Sequence, residues 1–218
     1  MTPPAPILVI NPNSNPAVTA GIDRAVAPFR LADGPRIECV TLEQGPFGIE
    51  SAHDGAVVAP MLAALVTERR DAGAIVIACF SDPGLAACRE VAQAPVIGIG
   101  EAGMTTAMAR AGQVGVIALS EGSIRRHWAR WRALGIASRV AGEVAVEASV
   151  ADSSDPAVFP RLEAAGAALA AEGAEALVLG CAGMADRRGA LEQALGLPVV
   201  DPVQAASALA LSAILARA

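Results

Sequence analysis

The sequence predicts an α/β protein of two similar lobes, each a parallel sheet flanked by helices, related by a pseudo-twofold axis. Three observations lead to this prediction. Short aliphatic runs alternate with longer helical patterns along the 218 residues, which is typical of parallel sheets covered by helices. The alternation occurs twice, with a cysteine at the same place in both copies. Apolar residues make up 54% of the chain, enough for a large buried core.

Eight apolar runs bounded by turn residues predict the strands. They lie at residues 7–11, 37–42, 75–79, 95–99, 114–119, 140–149, 177–181 and 198–201. Longer patterns between them, such as residues 56–73 and 156–174, predict helices. Because strands and helices alternate, each sheet is expected to be parallel with helices on both faces.

The internal repeat is clearest around two cysteines. "AIVIAC" ends at Cys79 and "ALVLGC" ends at Cys181, each with alanine, three aliphatic residues and one small residue before the cysteine. Pro95 opens a further strand sixteen residues after Cys79, and Pro198 does so seventeen residues after Cys181. Each half therefore carries its cysteine at the end of the equivalent strand.

The repeat also predicts how the chain divides and where a ligand binds. We expect a first lobe of residues 1–100 plus 203–218 and a second lobe of residues 101–202. The first strand of each half leads into a loop that carries a serine, Ser14 or Ser120. Ligands of parallel sheets bind beyond the carboxyl ends of the strands. The active site is therefore predicted between the lobes, with both cysteines in one cleft.

Local chemistry supports a reactive role for the two cysteines. Asp82 in "DPGL" is a typical helix N-cap, so Cys79 is predicted just before a helix N-terminus, where the dipole favours a thiolate. Ala182 and Gly183 follow Cys181 and leave backbone N–H groups uncovered. Such N–H groups form anion-binding nests.

Cysteines are also often inert, buried, small hydrophobic residues. That interpretation suits Cys39, which lies inside a predicted strand, and Cys88, which lies inside the helix after Cys79. For Cys79 and Cys181, the matched positions at the ends of equivalent strands favour a functional role over that of an inert buried residue. The sequence has no C-x-x-C pair and no zinc-type spacing, so neither a metal site nor a disulfide framework is predicted.

Composition excludes several functions. The absence of lysine and tyrosine rules out a Schiff-base lysine and a phenolic base. His53 and His127 occur in unrelated segments and are expected to be surface or capping residues. A net charge of −6 argues against nucleic acid as a partner. The basic run at residues 125–132 suits a solvated amphipathic helix better than a nucleic-acid or membrane surface.

No apolar run is long enough to span a membrane, and the first residues lack a signal-peptide pattern, so we expect a cytoplasmic protein with a small-molecule substrate.

"GIGEAG" at residues 98–103 matches the dinucleotide fingerprint G-x-G-x-x-G. Too few strand–helix units follow it for a full dinucleotide fold. Glu101 would also place a negative charge where a pyrophosphate should bind. We therefore do not predict a nicotinamide or flavin cofactor from this motif.

Several motifs together resemble those of the hydantoin and allantoin racemases of the aspartate/glutamate racemase superfamily. They are "NPNSN" near the start, "GPFGIES", "ACFSDPGL", "PVIGIGEAG" and "LGCAGMAD". Two loops depart from the usual pattern. Ser81 stands where the first of two acidic residues is usual, and "IALSEGS" with Ser120 replaces a threonine-rich loop.

The resemblance implies a cofactor-independent racemase that assembles as a homo-oligomer. It implies that Cys79 and Cys181 are the two catalytic bases, one on each face of a 5-substituted hydantoin or of allantoin. The matching loops supply the predicted substrate-binding residues, which are Asn11, Ser14, Phe80, Ser81, Gly84, Ser120, Ala182 and Gly183. Asn11 and Ser14 are equally compatible with capping the first helix.

Other functions remain compatible with the sequence. The same superfamily includes amino-acid racemases, cis–trans isomerases and decarboxylases. A decarboxylase is expected to lack one of the two cysteines, and both are here. A two-lobed binding protein for a small molecule would also have this architecture.

Overall fold

The computed structural model describes residues 4–153 and 155–216, which form two four-stranded sheets. Every strand pair is parallel. The order is the second, first, third and fourth strand in one sheet, and the same order recurs in the other. The predicted fold class and its internal repeat are confirmed.

The first sheet contains β1 (Ile7–Asn11), β2 (Ile37–Thr41), β3 (Ala74–Ile77) and β4 (Val96–Gly98). β1 and β3 lie at the centre, and all their residues are buried. A strand buried on both faces has to be apolar throughout, which explains the continuous aliphatic runs. Cys39 lies within β2, as predicted.

The second sheet contains β5 (Val114–Ala118), β6 (Val140–Ala145), β7 (Ala176–Leu179) and β8 (Val199–Val200). The central strands β5 and β7 are again fully buried. The predicted strands at 75–79 and 177–181 both end two residues earlier than the sequence indicated, so each cysteine lies in the loop rather than in the strand.

Eight α-helices cover the sheets in the described part of the chain. They are α1 (Pro16–Ala25), α2 (Ala52–Glu68), α3 (Leu85–Val91), α4 (Ile99–Met108), α5 (Glu121–Ala133), α6 (Phe159–Ala171), α7 (Arg188–Leu195) and α8 (Pro202–Leu215). α2 starts four residues before the predicted pattern, because Ser51 and Asp54 form a capping box there. Cys88 is buried within α3, as predicted.

The basic run at 125–132 belongs to α5, which is amphipathic as predicted. Trp131 is fully buried, as are Ser123 and His127 on the same face, whereas Arg125 and Arg132 are exposed. Residues four apart share one face of a helix, so this face packs on the second sheet. Across the described residues, no helix has the length and hydrophobicity needed to cross a membrane.

Two helices connect the sheets. α4 follows the last strand of the first sheet but contacts β7 and β8 of the second, whereas α8 follows β8 and contacts β3 and β4. The two helices also pack on each other. The predicted lobe boundary near residue 100, with residues 203–218 returning to the first lobe, stays a prediction about domain limits.

Candidate active site

A cleft of about 450 Å³, including its open mouth, lies between the carboxyl ends of the two sheets. Both halves of the chain line the cleft, through Asn13, Val18, Ile49, Ala78, Cys79, Phe80, Ser81, Leu119, Ser123, Arg126, His127, Val150, Gly180, Cys181 and Ala182. The two loops that carry the cysteines therefore face one common space.

The cleft is bridged by loops from both halves. Ile49, in the "GPFGIES" loop, and Val150, after β6, both line it. The backbone N–H of Val150 donates to Glu50 Oε1 at 3.0 Å. This hydrogen bond joins the two loops, and each loop contributes one apolar side chain to the cleft.

The two cysteines occupy equivalent positions. β3 ends at Ile77 and β7 ends at Leu179, so Cys79 and Cys181 each lie two residues beyond their strand. Both thiols are free, and both line the cleft. A disulfide between them, which would have favoured a structural role, is not formed.

The thiol of Cys79 has a hydroxyl close by. Its Sγ lies 3.4 Å from Ser81 Oγ. Burial raises the pKa of Cys79, and the hydrogen bonds from Ser81 and the charge of Arg126 oppose this rise. The neutral thiol is therefore the favoured form of Cys79 while the cleft holds no substrate.

Cys181 is held by the short 3-10 helix that follows it, Ala182–Arg187. The backbone N–H of Gly183 donates to Cys181 Sγ at 3.4 Å. Burial raises the pKa of Cys181 to about 11, and the Gly183 N–H and the Ser153 hydroxyl lower it in part. The charge of Cys79 also raises the pKa of Cys181, as expected for two groups that share one cleft.

Asp82 does not cap the helix after Cys79, so that prediction was wrong. α3 begins only at Leu85, and Cys79 is therefore not adjacent to its N-terminus. Asp82 instead accepts the backbone N–H groups of Gly100 and Glu101, at 2.8 and 2.9 Å, and pairs with Arg130 at 2.8 Å. Burial raises the pKa of Asp82 to about 6, although Arg130 and the two N–H groups oppose the rise. Its role is to anchor the Cys79 loop to the start of α4.

The same contact explains the glycines of "GIGEAG". A Cβ on Gly98 would lie 2.3 Å from the Asp82 carboxyl carbon, and a Cβ on Gly100 would lie 2.1 Å from the Phe80 carbonyl oxygen. These glycines permit the Cys79 loop to approach α4 closely. The helix N-terminus that a pyrophosphate would need is already occupied by Asp82.

Five of the ten predicted site residues line the cleft, and five do not. Cys79, Phe80, Ser81, Cys181 and Ala182 belong to the first group. Those outside the lining are Asn11, Ser14, Gly84, Ser120 and Gly183.

The residues outside the lining shape the loops around it. The fully buried Asn11 donates from Nδ2 to Asn13 Oδ1 and to Thr19 Oγ1, each at 3.0 Å. Ser120 caps α5 by accepting the Ser123 N–H at 3.3 Å. Gly84, with φ of 67°, precedes α3 in the left-handed region.

Ser14 and Gly183 also act on their own loops. The backbone N–H of Ser14 donates to the Pro46 carbonyl at 2.9 Å, and the cap of α1 is Asn15 rather than Ser14. A Cβ on Gly183 would lie 1.9 Å from Ser153 Oγ, so this position admits only glycine next to Ser153.

His127 is not a surface residue, so that prediction was wrong. It is 3% exposed and lines the cleft. Its Nδ1 lies 2.8 Å from Glu143 Oε2, and Trp131 Nε1 donates to the other carboxylate oxygen at 2.6 Å. Phe80 meets His127 edge-to-face, with ring centroids 4.9 Å apart. A buried network thus supports the wall of the cleft opposite the first sheet.

The sequence analysis also missed the contribution of α5. Ser123 and Arg126 line the cleft beside His127. Ser123, His127 and Trp131 are spaced four residues apart, which places them on one face of an amphipathic helix. This spacing could have predicted from the sequence that α5 faces inward at these positions. His53, by contrast, is exposed in the first turn of α2, as predicted.

No group of three or more His, Cys, Asp or Glu side chains that could hold a metal ion occurs among the residues described. The polar groups of the cleft are thiols, hydroxyls, amides, an imidazole and a guanidinium. Such groups can transfer protons and donate hydrogen bonds to an anionic intermediate.

The fold and the cleft define a two-lobed α/β protein with one free cysteine from each lobe in a shared site. The chain belongs to the Asp/Glu/hydantoin racemase family, whose model matches residues 7–210. The prediction of a racemase of the hydantoin and allantoin type is confirmed by this match and by the relatives below.

The hydantoin racemase of Paenarthrobacter aurescens is 35% identical over 211 residues, which cover 94% of this chain and 89% of the relative. The structure of allantoin racemase from Klebsiella pneumoniae has a TM-score of 0.91 at 33% identity, covering 98% of this chain and 89% of that chain. The allantoin racemase of Pseudomonas fluorescens has a TM-score of 0.88 at 27% identity, with 97% and 90% covered. The chain is similar to both groups to nearly the same degree.

Proposed function

We propose that this protein racemises a 5-substituted hydantoin, or allantoin, by proton transfer between Cys79 and Cys181 on opposite faces of the ring. The observation that carries the proposal is the pair of free thiols, at equivalent ends of equivalent strands, lining one cleft. Small-molecule racemisation needs one base and one acid on either side of the reacting carbon. The two halves of the fold supply one thiol each.

The proposed step balances without any added reagent. The thiolate of one cysteine removes the hydrogen from the ring carbon and becomes a thiol, leaving an enolate whose charge lies on the adjacent carbonyl oxygen. The opposite thiol then protonates the carbon from the other face and becomes the thiolate. The two cysteines exchange roles for the other enantiomer. Each sulfur has to lie within about 3–3.5 Å of the carbon in the bound complex.

The enolate oxygen needs hydrogen-bond donors, and Asn13 is a suitable one. Its Oδ1 accepts hydrogen bonds from Asn11 Nδ2 and from the Asn15 N–H, both at 3.0 Å. These bonds leave the Nδ2 amide of Asn13, a cleft residue, available to a ligand. Asn11 then acts by orienting Asn13, which is a different role from the substrate contact predicted from the sequence. A single well-placed donor contributes about 2.7–4 kcal/mol to such a step.

Single replacement of the two cysteines tests the mechanism most directly. We expect both Cys79→Ala and Cys181→Ala to lose racemisation, by a factor of about 10³ or more, because each removes one of two obligatory proton carriers. Polarimetry of an enantiopure hydantoin measures the effect, and Cys39→Ala is the control with a thiol outside the cleft. A Cys79→Ala protein that racemises at the rate of the unaltered enzyme would refute the mechanism.

Deuterium exchange in D₂O separates the two roles. Each Cys→Ser variant should exchange the ring hydrogen of one enantiomer only, since the remaining thiolate faces a single side. The two variants should show opposite enantiomer preferences. Exchange of both enantiomers by one variant would mean that another group in the cleft acts as a base.

The proposal specifies the five-membered ring of the substrate and leaves its substituent open. Relatives named for hydantoin and for allantoin are similar to this chain to nearly the same degree, and both compounds contain the same five-membered ring. A polarimetric screen of hydantoins, allantoin and free amino acids distinguishes them. Racemisation of a free amino acid but of no ring compound would favour the amino-acid alternative. Cytoplasmic location and homo-oligomeric assembly stay predictions.

A further inference from the structure

A single guanidinium faces the proposed substrate cleft. Arg126 lies in the second turn of α5 and lines the cleft beside His127. No aspartate or glutamate is among the lining residues that the structure describes. Two carboxylates lie near the lining without belonging to it, since the charge of Glu50 acts on Cys181 and that of Asp82 acts on Cys79.

Two of the hydrogen-bond donors of Arg126 have protein partners among the described residues. A guanidinium offers five N–H donors. One Nη donates to the Gly122 carbonyl at 3.0 Å and the other to Ser123 Oγ at 3.2 Å. The Nε is buried and has no hydrogen-bond partner in the described structure. The Nε of Arg130 is likewise buried without a partner, so the feature that sets Arg126 apart is its position in the cleft lining without an ion pair.

Arg126 also differs from Arg130, the next arginine along α5. Arg130, one turn further along α5, is paired with Asp82 and with Glu101, each at 2.8 Å. Arg126 makes no ion pair in the part of the chain that the structure covers.

We propose that Arg126 binds an anionic substituent of the substrate, so that the preferred ring compounds carry a carboxylate on the side chain of the reacting carbon. The inference rests on the proposed function. The guanidinium fork matches a carboxylate in shape and charge. Glu50, the carboxylate beside the Ile49 and Val150 loops, accepts the Val150 N–H and forms no ion pair with Arg126 in the described structure. The apolar lining from Val18, Ile49 and Val150 accommodates the remainder of the ring compound.

A rival role for Arg126 is general support of the reaction through the charge it exerts on Cys79 or on the enolate. That role would affect every substrate alike, because all share the same reacting carbon. Recognition of a substituent affects only substrates that carry the anion. The two roles therefore separate when two substrates of the same shape and different charge are compared in one enzyme.

The experiment compares 5-(carboxymethyl)hydantoin with 5-(carbamoylmethyl)hydantoin, its neutral isostere. In the unaltered enzyme we expect kcat/KM to be at least about tenfold higher for the carboxylate, the effect of a charge-assisted pair relative to a neutral one. The difference should lie mainly in KM. In Arg126→Gln the ratio should fall to about one, whereas Arg126→Lys should keep part of it.

Arg125→Gln is the matched control, since Arg125 is exposed on the same helix and its loss removes the same charge from the chain. It should retain the carboxylate preference. Because the ratio is taken within each variant, partial misfolding of Arg126→Gln lowers both rates and leaves the ratio interpretable.

Calorimetric binding of the same two compounds decides the inference independently of turnover. Tighter binding of the carboxylate by the unaltered enzyme, lost in Arg126→Gln, supports it whether or not racemisation is seen. Equal affinity and equal kcat/KM for the two compounds in the unaltered enzyme would overturn it while leaving the racemase proposal intact. An equal loss for both compounds in Arg126→Gln would assign the general role instead.

Discussion

The two cysteine loops begin from nearly identical strands, but they are held in different ways. The loop after β3 is anchored from a distance, through a buried aspartate that reaches the N-terminus of α4 and Arg130. The loop after β7 is held locally, by a 3-10 helix whose second residue, Gly183, donates to the sulfur of Cys181. Equivalent strands thus place the two sulfurs, and unrelated loops set their surroundings.

This difference bears on the reaction. A racemase interconverts mirror-image substrates, but the protein around them is not mirror-symmetric. Cys79 has a hydroxyl neighbour, Ser81, whereas Cys181 has a backbone N–H and is buried more deeply. In the proposed mechanism, the two directions of proton transfer therefore begin from thiols in different environments, and each environment can be altered separately.

Removing the anchor of the first loop should have the largest effect. Asp82→Ala should lower the free energy of unfolding by about 3 kcal/mol, because it breaks a buried ion pair and leaves two helix N–H groups without an acceptor. Urea denaturation followed by circular dichroism measures the change.

Asp186 in the second loop provides the matched control. It pairs with Arg24 at 2.8 Å, but both side chains are largely exposed, at 39% and 58%. Surface pairs of this kind contribute about 0–1 kcal/mol, so Asp186→Ala should have little effect on unfolding. Equal losses from the two replacements would contradict the distinction between a distant and a local anchor.

The pH dependence of kcat/KM should be steep. Burial raises the pKa of both thiols, that of Cys181 to about 11, so both are protonated near neutral pH and the reactive thiolate increases as pH rises. We expect kcat/KM to increase about tenfold per pH unit, or about a hundredfold from pH 7 to pH 9, since it reports ionisation in the free enzyme.

Two serine replacements test the pKa of each thiol separately. Ser81 lowers the pKa of Cys79, and Ser153 lowers that of Cys181. Ser81→Ala and Ser153→Ala should therefore shift the rise in activity to higher pH, each through a different cysteine. A profile that is flat between about pH 7 and pH 9 would show that a thiolate is already formed in the free enzyme.

The smallest effect separates the two serines that the repeat predicted to be equivalent. Ser120 caps α5, so Ser120→Ala should cost about 1 kcal/mol of stability. Ser14 is not the cap of α1, since Asn15 has that role, and Ser14→Ala should change stability by less than about 0.5 kcal/mol. Thermal unfolding of the two variants measures the difference, and equal losses would restore their predicted equivalence.

The elements of the fold were predictable because each depends on a local pattern. Each of the eight strands corresponds to one apolar run, and the duplication of those runs indicated two matching sheets. The cysteine pair followed from the same duplication. These features can be predicted without knowing which residues distant in sequence are in contact.

The contacts that complete the site were less predictable, because they join residues far apart in sequence. Asp82 has the local pattern of an N-cap for α3, but its carboxylate binds the start of α4, eighteen residues further along. His127 was expected to be a surface or capping residue because the two histidines lie in unrelated segments. Its buried partner Glu143 lies in β6, sixteen residues away, although the spacing of His127 from Trp131 indicated the buried face. The glycines of "GIGEAG" match a cofactor motif, but here Gly98 and Gly100 accommodate the Asp82 loop, whereas Gly103 packs against Pro202 and Val178.

The packing of α4 on α8 links the two strands that lead to the cysteines. β3 leads to Cys79 and is covered by α8, while β7 leads to Cys181 and is covered by α4. Where these helices meet, a Cβ on Gly103 would lie 3.0 Å from the Cβ of Pro202 and 3.1 Å from Val178 Cγ1. A methyl group at this seam would require these neighbours to move by a few tenths of an ångström, so Gly103 permits the close packing of the two helices that cover the cysteine-bearing strands.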